Sequence, residues 1–346
     1  MRDIELELKN YMESLVREEY FPGSCYAVLY KGKCISGSVG FKSIIPSKER
    51  NNLNTLYDAA SLTKVLVTVP LITMLIYNNQ LKIDDYVKNY IKEFPFSDVT
   101  LHHLLTHTSG LKVTYDKNTV KDKEEMLSSL ILEHKPGSVL LYQDINYLLL
   151  GFLIEEVYND TLDNLSRKYV FEPLNMKDTS YLPSNIKRCA PTELTELRGL
   201  IRGLAHDEKA YALGSVAGNA GVFTPINDLV KFVKMIMNDG KKGNRPIFPK
   251  ELVDSWFKPE ASDDKGIKRS IGWIIGSSAK DSKEICSDNS ILHTGYTGNE
   301  IIIDRNNEFA IMILSNRVHP TRDNKKMIDN RATINKEIYK IIFKGE

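Results

Sequence analysis

Residues 59–77 read AASLTKVLVTVPLITMLIY. In this stretch the polar residues Ser61, Thr63 and Lys64 directly precede the longest apolar run of the chain. The run from Val65 to Tyr77 carries no charge, so it predicts a helical segment buried in a protein core. It is too short to span a bilayer, which takes about 20 apolar residues, and Pro70 interrupts it. The stretch therefore indicates a soluble globular protein built around a buried helix.

The composition is that of a globular protein without a charge bias. The chain has 346 residues, 42% of them hydrophobic and 26% charged, and its 46 basic side chains nearly match its 45 acidic ones. This length is enough for one large domain or two closely packed ones. Because the net charge is only +1, we expect neither nucleic acid nor an anionic membrane as a partner.

The cysteines and the N-terminus bear on the cellular compartment. Cys25, Cys34, Cys189 and Cys286 form no CxxC pair and no spacing typical of metal ligands, so we expect reduced thiols. The first 20 residues, MRDIELELKNYMESLVREEY, show no basic start followed by an apolar segment, as a secretory signal would. The expected location is the cytoplasm.

Strand patterns lie on both sides of the opening stretch, toward the two chain ends. Apolar residues recur at helical spacing over residues 4–19 and 324–343, and residues from about 75 to 205 read mostly as helix. Short apolar runs bounded by turn residues predict strands at residues 25–30, 34–41, 55–58, 272–275, 299–304 and 308–314.

This order of elements predicts an α+β fold. Both chain ends would build one antiparallel sheet flanked by helices, with a mostly helical region inserted between the two halves. We expect residues 1–75 and 206–346 to form a discontinuous sheet domain and residues 76–205 a helical domain. The active site would lie in the cleft between them.

Ser61 and Lys64 form an SxxK motif at the start of the buried helix. Of the further SxxK matches in the chain, those at Ser184, Ser262 and Ser277 lie in turns or polar stretches. A serine in the first helical turn faces the positive end of the helix dipole, and a lysine three residues later shares its face. Burial would lower the pKa of this lysine and let it take the serine proton. A helix cap followed by a lysine that reaches to solvent fits the same residues.

Tyr142, Gln143 and Asp144 follow a Pro-Gly break and precede an apolar helical run. A tyrosine at such a helix entry can project its hydroxyl into a cleft. A core aromatic side chain with a solvated tip is the alternative, in a chain with 17 tyrosines.

His293, Thr294, Gly295 and Tyr296 stand directly before a predicted strand. Small residues at a strand edge let the backbone of a substrate come close, and Tyr296 offers a backbone N–H there. A Gly-rich turn into a hairpin is the alternative interpretation.

His102, His103 and His107 invite comparison with a metal site, because histidines four residues apart share a helical face. The segment LHHLLTHTSG ends in a turn, however, so we expect packed and capping histidines at a helix end. We expect no metal and no other cofactor.

SLTK at Ser61, YQD at Tyr142 and HTG at His293, in this order, resemble the serine β-lactamase, penicillin-binding DD-peptidase and related esterase superfamily, nearest its class C-like branch. Further phrases carry the resemblance: LHHLLTHTSGL, PGSVLLYQDINYLLLG, GLAHDEKAYALGSVAGNAGVFT and HTGYTGNEIIIDRNNEFAIMILSNRVHPTR. Together they span nearly the whole chain. The resemblance implies a β-lactamase/transpeptidase-like fold, which agrees with the composite sheet and helical insertion expected above.

The resemblance also implies a role for each of these residues. Ser61 would be the acylated nucleophile, Lys64 would activate it, and Tyr142 would protonate the leaving group and later help to activate water. Backbone N–H groups of Ser61 and Tyr296 would form the oxyanion hole, worth roughly 3–4 kcal/mol per donor. His293, Thr294, Gly295 and Asp144 would line the substrate pocket.

Two residues depart from the family pattern. His293 stands where the family usually has a lysine, and Asp144 stands where the triplet usually ends in asparagine. A mostly neutral histidine holds a substrate carboxylate less firmly than a lysine does. An aspartate would repel an anionic substrate, or it would pair with Lys64 and raise the pKa of that lysine. Both departures favour small esters or amides without a demanding anionic group.

We therefore expect a metal-independent serine hydrolase that forms an acyl-serine intermediate. Its partner would be a small-molecule ester, amide or β-lactam-like substrate, with at most weak β-lactamase or DD-peptidase activity. Two alternatives stay open. One is a non-catalytic binding or scaffold protein of the same fold, and the other is an acyltransferase that uses the same acyl-enzyme.

Overall fold

An antiparallel sheet of nine strands runs through the described part of the chain, which in this computed structural model is residues 2–114 and 122–344. The strands are β1 Gly23–Tyr30, β2 Lys33–Ser43, β3 Glu49–Arg50, β4 Tyr57–Asp58, β5 Leu111–Val113, β6 Leu130–Leu132, β7 Leu194–Thr195, β8 Gly199–Leu200, β9 Phe223–Thr224, β10 Lys241–Lys242, β11 Arg245–Pro246, β12 Ala261–Ser262, β13 Lys268–Arg269, β14 Ile274–Ile275, β15 Ser290–Gly295, β16 Asn299–Asp304 and β17 Phe309–Ser315.

The α-helices are α1 Arg2–Arg17, α2 Val69–Tyr77, α3 Leu101–Leu105, α4 Lys123–Ser128, α5 Asp144–Tyr158, α6 Leu162–Ser166, α7 Glu172–Leu174, α8 Glu208–Ala212, α9 Ile226–Met237, α10 Lys250–Ser255, α11 Lys326–Asp329 and α12 Arg331–Phe343. Two π-helical turns span Lys64–Thr68 and Arg167–Phe171, and three 3₁₀ turns span Val87–Asn89, Ile186–Arg188 and Gly276–Ser278.

The main sheet joins the two ends of the chain. Its strand order is β12-β13-β14-β15-β16-β17-β1-β2-β3, and β1 pairs antiparallel with β17, so that Cys25 lies opposite Leu314. The predicted α+β fold, with an antiparallel sheet from both chain ends, is confirmed. The proposed domain boundaries stay a prediction.

Both faces of this sheet are buried, because apolar side chains alternate between two cores. On β17, one face carries Ala310, Met312 and Leu314, and the other carries Phe309, Ile311 and Ile313. The first face packs with the helical middle of the chain. The second packs against α1 and α12, which contribute Leu8, Met12, Leu15, Ile334, Ile338 and Ile341. Helices therefore flank the sheet on both sides, as expected.

The apolar run described first in the sequence analysis forms the π-helical turn Lys64–Thr68 followed by α2. All five residues of the π-helical turn are buried. Pro70 lies in the first turn of α2, where the π-helical turn passes into the α-helix. Across residues 2–114 and 122–344, none of the helices is long and apolar enough to cross a membrane.

Some predicted elements differ from the observed ones. The predicted strand over residues 55–58 is only β4, and the predicted final helix is divided into α11 and α12 at Asn330, whose φ of −114° is not helical. The middle segment also contains two small antiparallel strand pairs, β5–β6 and β7–β8. Strands of two or three residues are too short to leave an alternating pattern in the sequence.

Candidate active site

Ser61 lies in a tight turn between β4 and the buried helix. The preceding residue, Ala60, has a φ of 47°, a left-handed conformation that costs energy for a residue with a side chain. The Asp58 carboxylate holds this turn, because one oxygen accepts the Ala60 N–H at 2.8 Å and the other accepts the His206 N–H at 2.7 Å. The turn leaves Ser61 half-buried at the wall of a cavity.

The Ser61 hydroxyl contacts two other side chains. Lys64 Nζ donates to Ser61 Oγ at 3.0 Å, and the Tyr142 hydroxyl donates to the same atom at 3.0 Å. Lys64 follows Ser61 by three residues, begins the π-helical turn and is fully buried. Tyr142 stands just before α5 and is 37% exposed. The fold thus brings the three residues expected to be catalytic into direct contact.

Of the two expectations for the pKa of Lys64, the structure favours the increase through pairing with Asp144 over the decrease through burial. Burial does act in that direction, but the Asp144 carboxylate at 2.9 Å and the Tyr142 hydroxyl outweigh it, so the pKa of Lys64 is raised above its ordinary value. The Asn219 carbonyl oxygen also accepts from Lys64 Nζ at 3.1 Å. The ammonium therefore has a partner for each of its three donors: Ser61, Asp144 and Asn219.

Asp144, the first residue of α5, bridges two lysines. One carboxylate oxygen contacts Lys64, and the other lies 3.3 Å from Lys209 Nζ. Burial alone would raise the pKa of Asp144, but the two ammonium groups hold that pKa below its usual range. The substrate-binding role expected for Asp144 stays a prediction, and its observed partners are lysines. No local pattern marks Lys209, since only tertiary contact relates α8 to α5.

His107 supports Tyr142 and the start of α5. Its ring lies 4.4 Å from the Tyr142 ring, centroid to centroid. The Gln143 N–H at 3.3 Å and the Asn146 amide at 3.1 Å both approach Nδ1 of His107, which fits a neutral ring that accepts there. Burial, followed by the positive charge of Arg269, lowers the pKa of His107 well below its ordinary value. The prediction of a packed histidine is confirmed.

His103 has the capping role predicted for this segment. It completes a capping box with Thr100 at the start of α3. In the part of the chain that the structure describes, no three or more His, Cys, Asp or Glu side chains are grouped so that they could hold a metal ion.

The end of β15 forms part of the cavity wall near Tyr142, whose ring lies 6.5 Å from that of His293, centroid to centroid. His293 is buried, and its Nδ1 lies 3.0 Å from the Thr294 carbonyl oxygen. Burial, followed by the charges of Lys64 and Arg269, lowers the pKa of His293 well below its ordinary value. The histidine is therefore neutral at pH 7, as expected, and cannot replace the charge of a lysine.

Gly295 ends β15 beside the turn that carries Ser61. A Cβ at this position would lie only 2.8 Å from the Ala59 carbonyl oxygen, so the close approach of strand and turn requires glycine. Two side chains just beyond it, Thr297 and Asn299, donate to the Asp58 carbonyl oxygen at 2.9 Å and 2.7 Å. These contacts fix the strand end against the turn that carries Ser61.

The cavity has a volume of about 290 Å³, and its walls combine reactive, apolar and cationic side chains. The lining residues are Ser61, Tyr142, Arg269, Ile274, His293, Thr294, Gly295, Tyr296, Ile328 and Arg331. The structure thus places the sequence-predicted residues around one space, with Asp144 behind Lys64. The two arginines were not predicted, because each lies outside the motifs, on β13 and on α12.

Tyr296 lies at the rim of this cavity, 46% exposed, with its ring stacked 5.7 Å from that of His206. Its backbone N–H and that of Ser61 donate no hydrogen bond to another residue of the described ranges. Two free N–H groups on neighbouring backbone segments, the turn that carries Ser61 and the end of β15, are the kind of donors that bind a substrate oxygen.

Comparisons with known proteins identify a family and relatives of this chain. A family model described as Beta-lactamase matches residues 8–336. A relative from Salmonella enteritidis PT4, named putative D-alanyl-D-alanine carboxypeptidase, is 30% identical over 325 residues, which cover 81% of this chain and 74% of the relative.

Two solved structures show the same fold. A class C beta-lactamase superposes with a TM-score of 0.79 at 19% identity, covering 100% of this chain and 98% of its own. EstCE1, described as a hydrolase with promiscuous acyltransferase activity, superposes with a TM-score of 0.76 at 16% identity. The match covers 96% of this chain and 98% of EstCE1.

The fold and the family model together define a serine hydrolase with the β-lactamase/transpeptidase-like fold. The chain belongs to the beta-lactamase family, as the order of its motifs predicted.

Proposed function

We propose that this protein cleaves small esters or amides through an acyl-Ser61 intermediate. The observation that carries the proposal is the Ser61 hydroxyl, which receives hydrogen bonds from both Lys64 and Tyr142 at 3.0 Å. A serine hydroxyl is a weak nucleophile by itself, so it needs a neighbouring group that takes its proton. Both hydroxyl protons can rotate, and when Ser61 turns its proton toward the Tyr142 oxygen, across the same 3.0 Å, Tyr142 is that group.

The acylation step assigns different roles to the two partners. Ser61 Oγ attacks the substrate carbonyl carbon and passes its proton to the Tyr142 oxygen, while the Tyr142 proton goes to the departing alcohol or amine. Lys64, held as a cation by Asp144, donates to Oγ and stabilises the negative charge that develops there. Tyr142 begins and ends this step neutral.

The Ser61 and Tyr296 N–H groups would bind the carbonyl oxygen while it carries negative charge. In deacylation, water attacks the acyl carbonyl carbon and gives a proton to the Tyr142 oxygen. Tyr142 returns its own proton to Ser61 Oγ, which releases the acid and restores the enzyme.

Covalent labelling tests this proposal. The protein is incubated with a fluorophosphonate probe, and its intact mass is measured before peptide mapping. We expect one probe per chain on Ser61, and no labelling of the Ser61→Ala variant. Ser184→Ala is the matched control, since Ser184 begins another SxxK match but is exposed. Wild-type protein that stays unlabelled would favour a non-catalytic binding protein.

Three substrates test which kind of bond the protein cleaves. A p-nitrophenyl ester tests ester cleavage, a fluorescent penicillin tests β-lactams, and a peptide that ends in D-alanyl-D-alanine tests the activity for which the Salmonella relative is named. Turnover of the ester that is lost in Ser61→Ala supports the proposal. Stable labelling by penicillin would extend it to DD-peptidase chemistry.

A further inference from the structure

Five residues form a closed ring of contacts around the Lys64 ammonium: Lys64, Asp144, Lys209, Asp207 and Asn219. Lys64 Nζ lies 2.9 Å from one oxygen of Asp144, and Lys209 Nζ lies 3.3 Å from the other. Lys209 Nζ is also 3.9 Å from one oxygen of Asp207, whose other oxygen accepts from the Asn219 amide at 3.0 Å. The Asn219 carbonyl oxygen accepts from Lys64 Nζ at 3.1 Å and closes the ring.

The charged groups of this ring are mostly shielded from water. Lys64 is fully buried, and the side chain of Lys209 is only 18% exposed. Water and salt screen such charges less than they screen a surface ion pair. Lys209 therefore acts on Asp144, and through it on Lys64, more strongly than a surface lysine would.

Lys209 limits how Asp144 contacts Lys64. A carboxylate has two oxygens, and the oxygen that Lys209 holds is not available to Lys64. One of the three N–H donors of Lys64 is directed to Ser61 Oγ at 3.0 Å. If both oxygens of Asp144 faced Lys64, they would compete with Ser61 for that donor. The charge of Lys209 also limits the rise in the pKa of Lys64, because a nearby like charge disfavours the cation.

No other carboxylate among the described residues contacts Lys64 within 4.0 Å. The remaining titratable or charged side chains near Lys64, or near the histidines beside it, are Tyr142, Tyr147, His107, His293 and Arg269. Burial lowers the pKa of both histidines well below its ordinary value and raises the pKa of Tyr147, so these three rings are neutral at pH 7. The counter-charge of Lys64 is thus Asp144, and Lys209 is the cation that shares it.

We propose that Lys209 is a positioning residue that holds one oxygen of Asp144 and so leaves Lys64 a donor for the nucleophile. The inference rests on the proposed acyl-Ser61 reaction and adds a residue that acts on it through Asp144. It also accounts for an aspartate at a position where the family usually has asparagine, because the added negative charge is shared with a cation on α8.

A double-mutant cycle tests the inference. It compares wild type, Asp144→Asn, Lys209→Met and the double variant by kcat/KM on p-nitrophenyl acetate, a neutral ester, at pH 7.5. We expect Lys209→Met to lower kcat/KM by roughly 10-fold, as when a hydrogen bond to a charged group is lost. The double variant should exceed the product of the two single effects at least about fivefold, because Lys209 has no carboxylate to hold once Asp144 is absent.

The pH profile supplies a readout that a merely structural role of Lys209 would not change. Asp144→Asn and the double variant are compared from about pH 6 to 10. Both lack the carboxylate, and only Asp144→Asn keeps the second cation beside Lys64. The alkaline limb of kcat/KM should therefore lie roughly one pH unit higher in the double variant, since removal of a like charge raises the pKa of Lys64.

Three further variants complete the experiment. Lys209→Arg keeps the cation and should stay within about threefold of wild type. Lys209→Gln, which keeps a polar side chain without the charge, replaces Lys209→Met in the cycle if the latter unfolds, with the same expected results. Lys231→Met is the matched control, because Lys231 also pairs with a buried aspartate, Asp228 at 2.7 Å, but on α9 and outside the ring. It should change kcat/KM by less than about twofold.

The outcomes separate the inference from the reaction on which it rests. Single losses that multiply in the double variant, or an alkaline limb at the same pH with and without Lys209, overturn the inference alone, provided that Ser61→Ala still abolishes turnover. Absence of Ser61-dependent turnover in wild type, together with absence of fluorophosphonate labelling, overturns the proposed reaction and the inference with it.

Discussion

The Asp144 carboxylate lies 2.9 Å from the Lys64 ammonium, so the buried cation beside the nucleophile has its counter-charge inside the protein. Lys209 contacts the second oxygen of the same carboxylate at 3.3 Å. This arrangement explains how a lysine with no exposed surface stays charged. In the proposed reaction, Lys64 is therefore a hydrogen-bond donor to Ser61, and Tyr142 transfers the protons.

Asp144→Asn removes this counter-charge with little change in shape. Burial then dominates, so the pKa of Lys64 should fall relative to wild type. Because the proposed reaction needs the cationic lysine, the alkaline limb of kcat/KM on a neutral ester should move to lower pH. A pH profile from about 6 to 10 measures this shift.

Asp178→Asn is the control for this variant, since the side chain of Asp178 is 45% exposed. It should leave the profile unchanged. A rise in the activity of Asp144→Asn at alkaline pH would contradict the assignment, because a neutral Lys64 would then be acting as the base.

Tyr142→Phe removes the hydroxyl that contacts Ser61 Oγ and keeps the ring that packs on His107. We expect kcat on an ester to fall by roughly 10²- to 10⁴-fold, the usual contribution of a positioned acid or base. Tyr77→Phe, at a 48% exposed tyrosine, should have no effect. Equal activity of the two variants would show that Tyr142 moves no proton.

Gly295→Ala places a methyl group 2.8 Å from the Ala59 carbonyl oxygen. The end of β15 must then move away from the turn that carries Ser61, and the Tyr296 N–H moves with it. We expect kcat on an ester to fall by about 10²- to 10³-fold, as when one oxyanion donor is lost. The thermal midpoint of unfolding should change little, although kcat falls strongly. A fully folded variant with the kcat of wild type would refute the proposed role of the strand end.

The raised pKa of Glu300 makes the free energy of unfolding depend on pH. Burial raises the pKa of Glu300 to about 7, and the charge of Arg331 offsets only part of that rise. The unfolded chain has a carboxyl pKa of about 4.3, so the folded protein binds this proton more tightly and loses stability as pH rises from about 4.5 to 7.

Glu300→Gln should remove that loss. Relative to wild type, its free energy of unfolding should increase across this pH window by up to about 3 kcal/mol. Denaturant unfolding at several pH values measures the difference. Glu308→Gln, at an exposed carboxylate in the turn after β16, is the control and should show no such trend. A constant difference across the window would contradict the raised pKa.

Local sequence patterns predicted the parts of the fold that depend on near neighbours. The hairpin β1–β2 and the paired strands β16 and β17 were predicted from short apolar runs and the turns between them. The motif order also predicted the family and the three residues around Ser61 Oγ. The contact of Lys64 with Ser61 follows from helical spacing alone, since residues three apart share a face.

The tertiary structure decided the electrostatics of the site. Whether the pKa of Lys64 falls or rises depends on Asp144, which is 80 residues away in the chain, and on Lys209 behind it. Arg269 enters the cavity from β13 without any motif of its own. Spacing along a chain fixes contacts within one turn or one hairpin, whereas charge interactions act between whichever groups the fold brings together. The sequence by itself therefore determined the family and the contact of Ser61 with Lys64, and only the folded protein determined which charges surround these two residues.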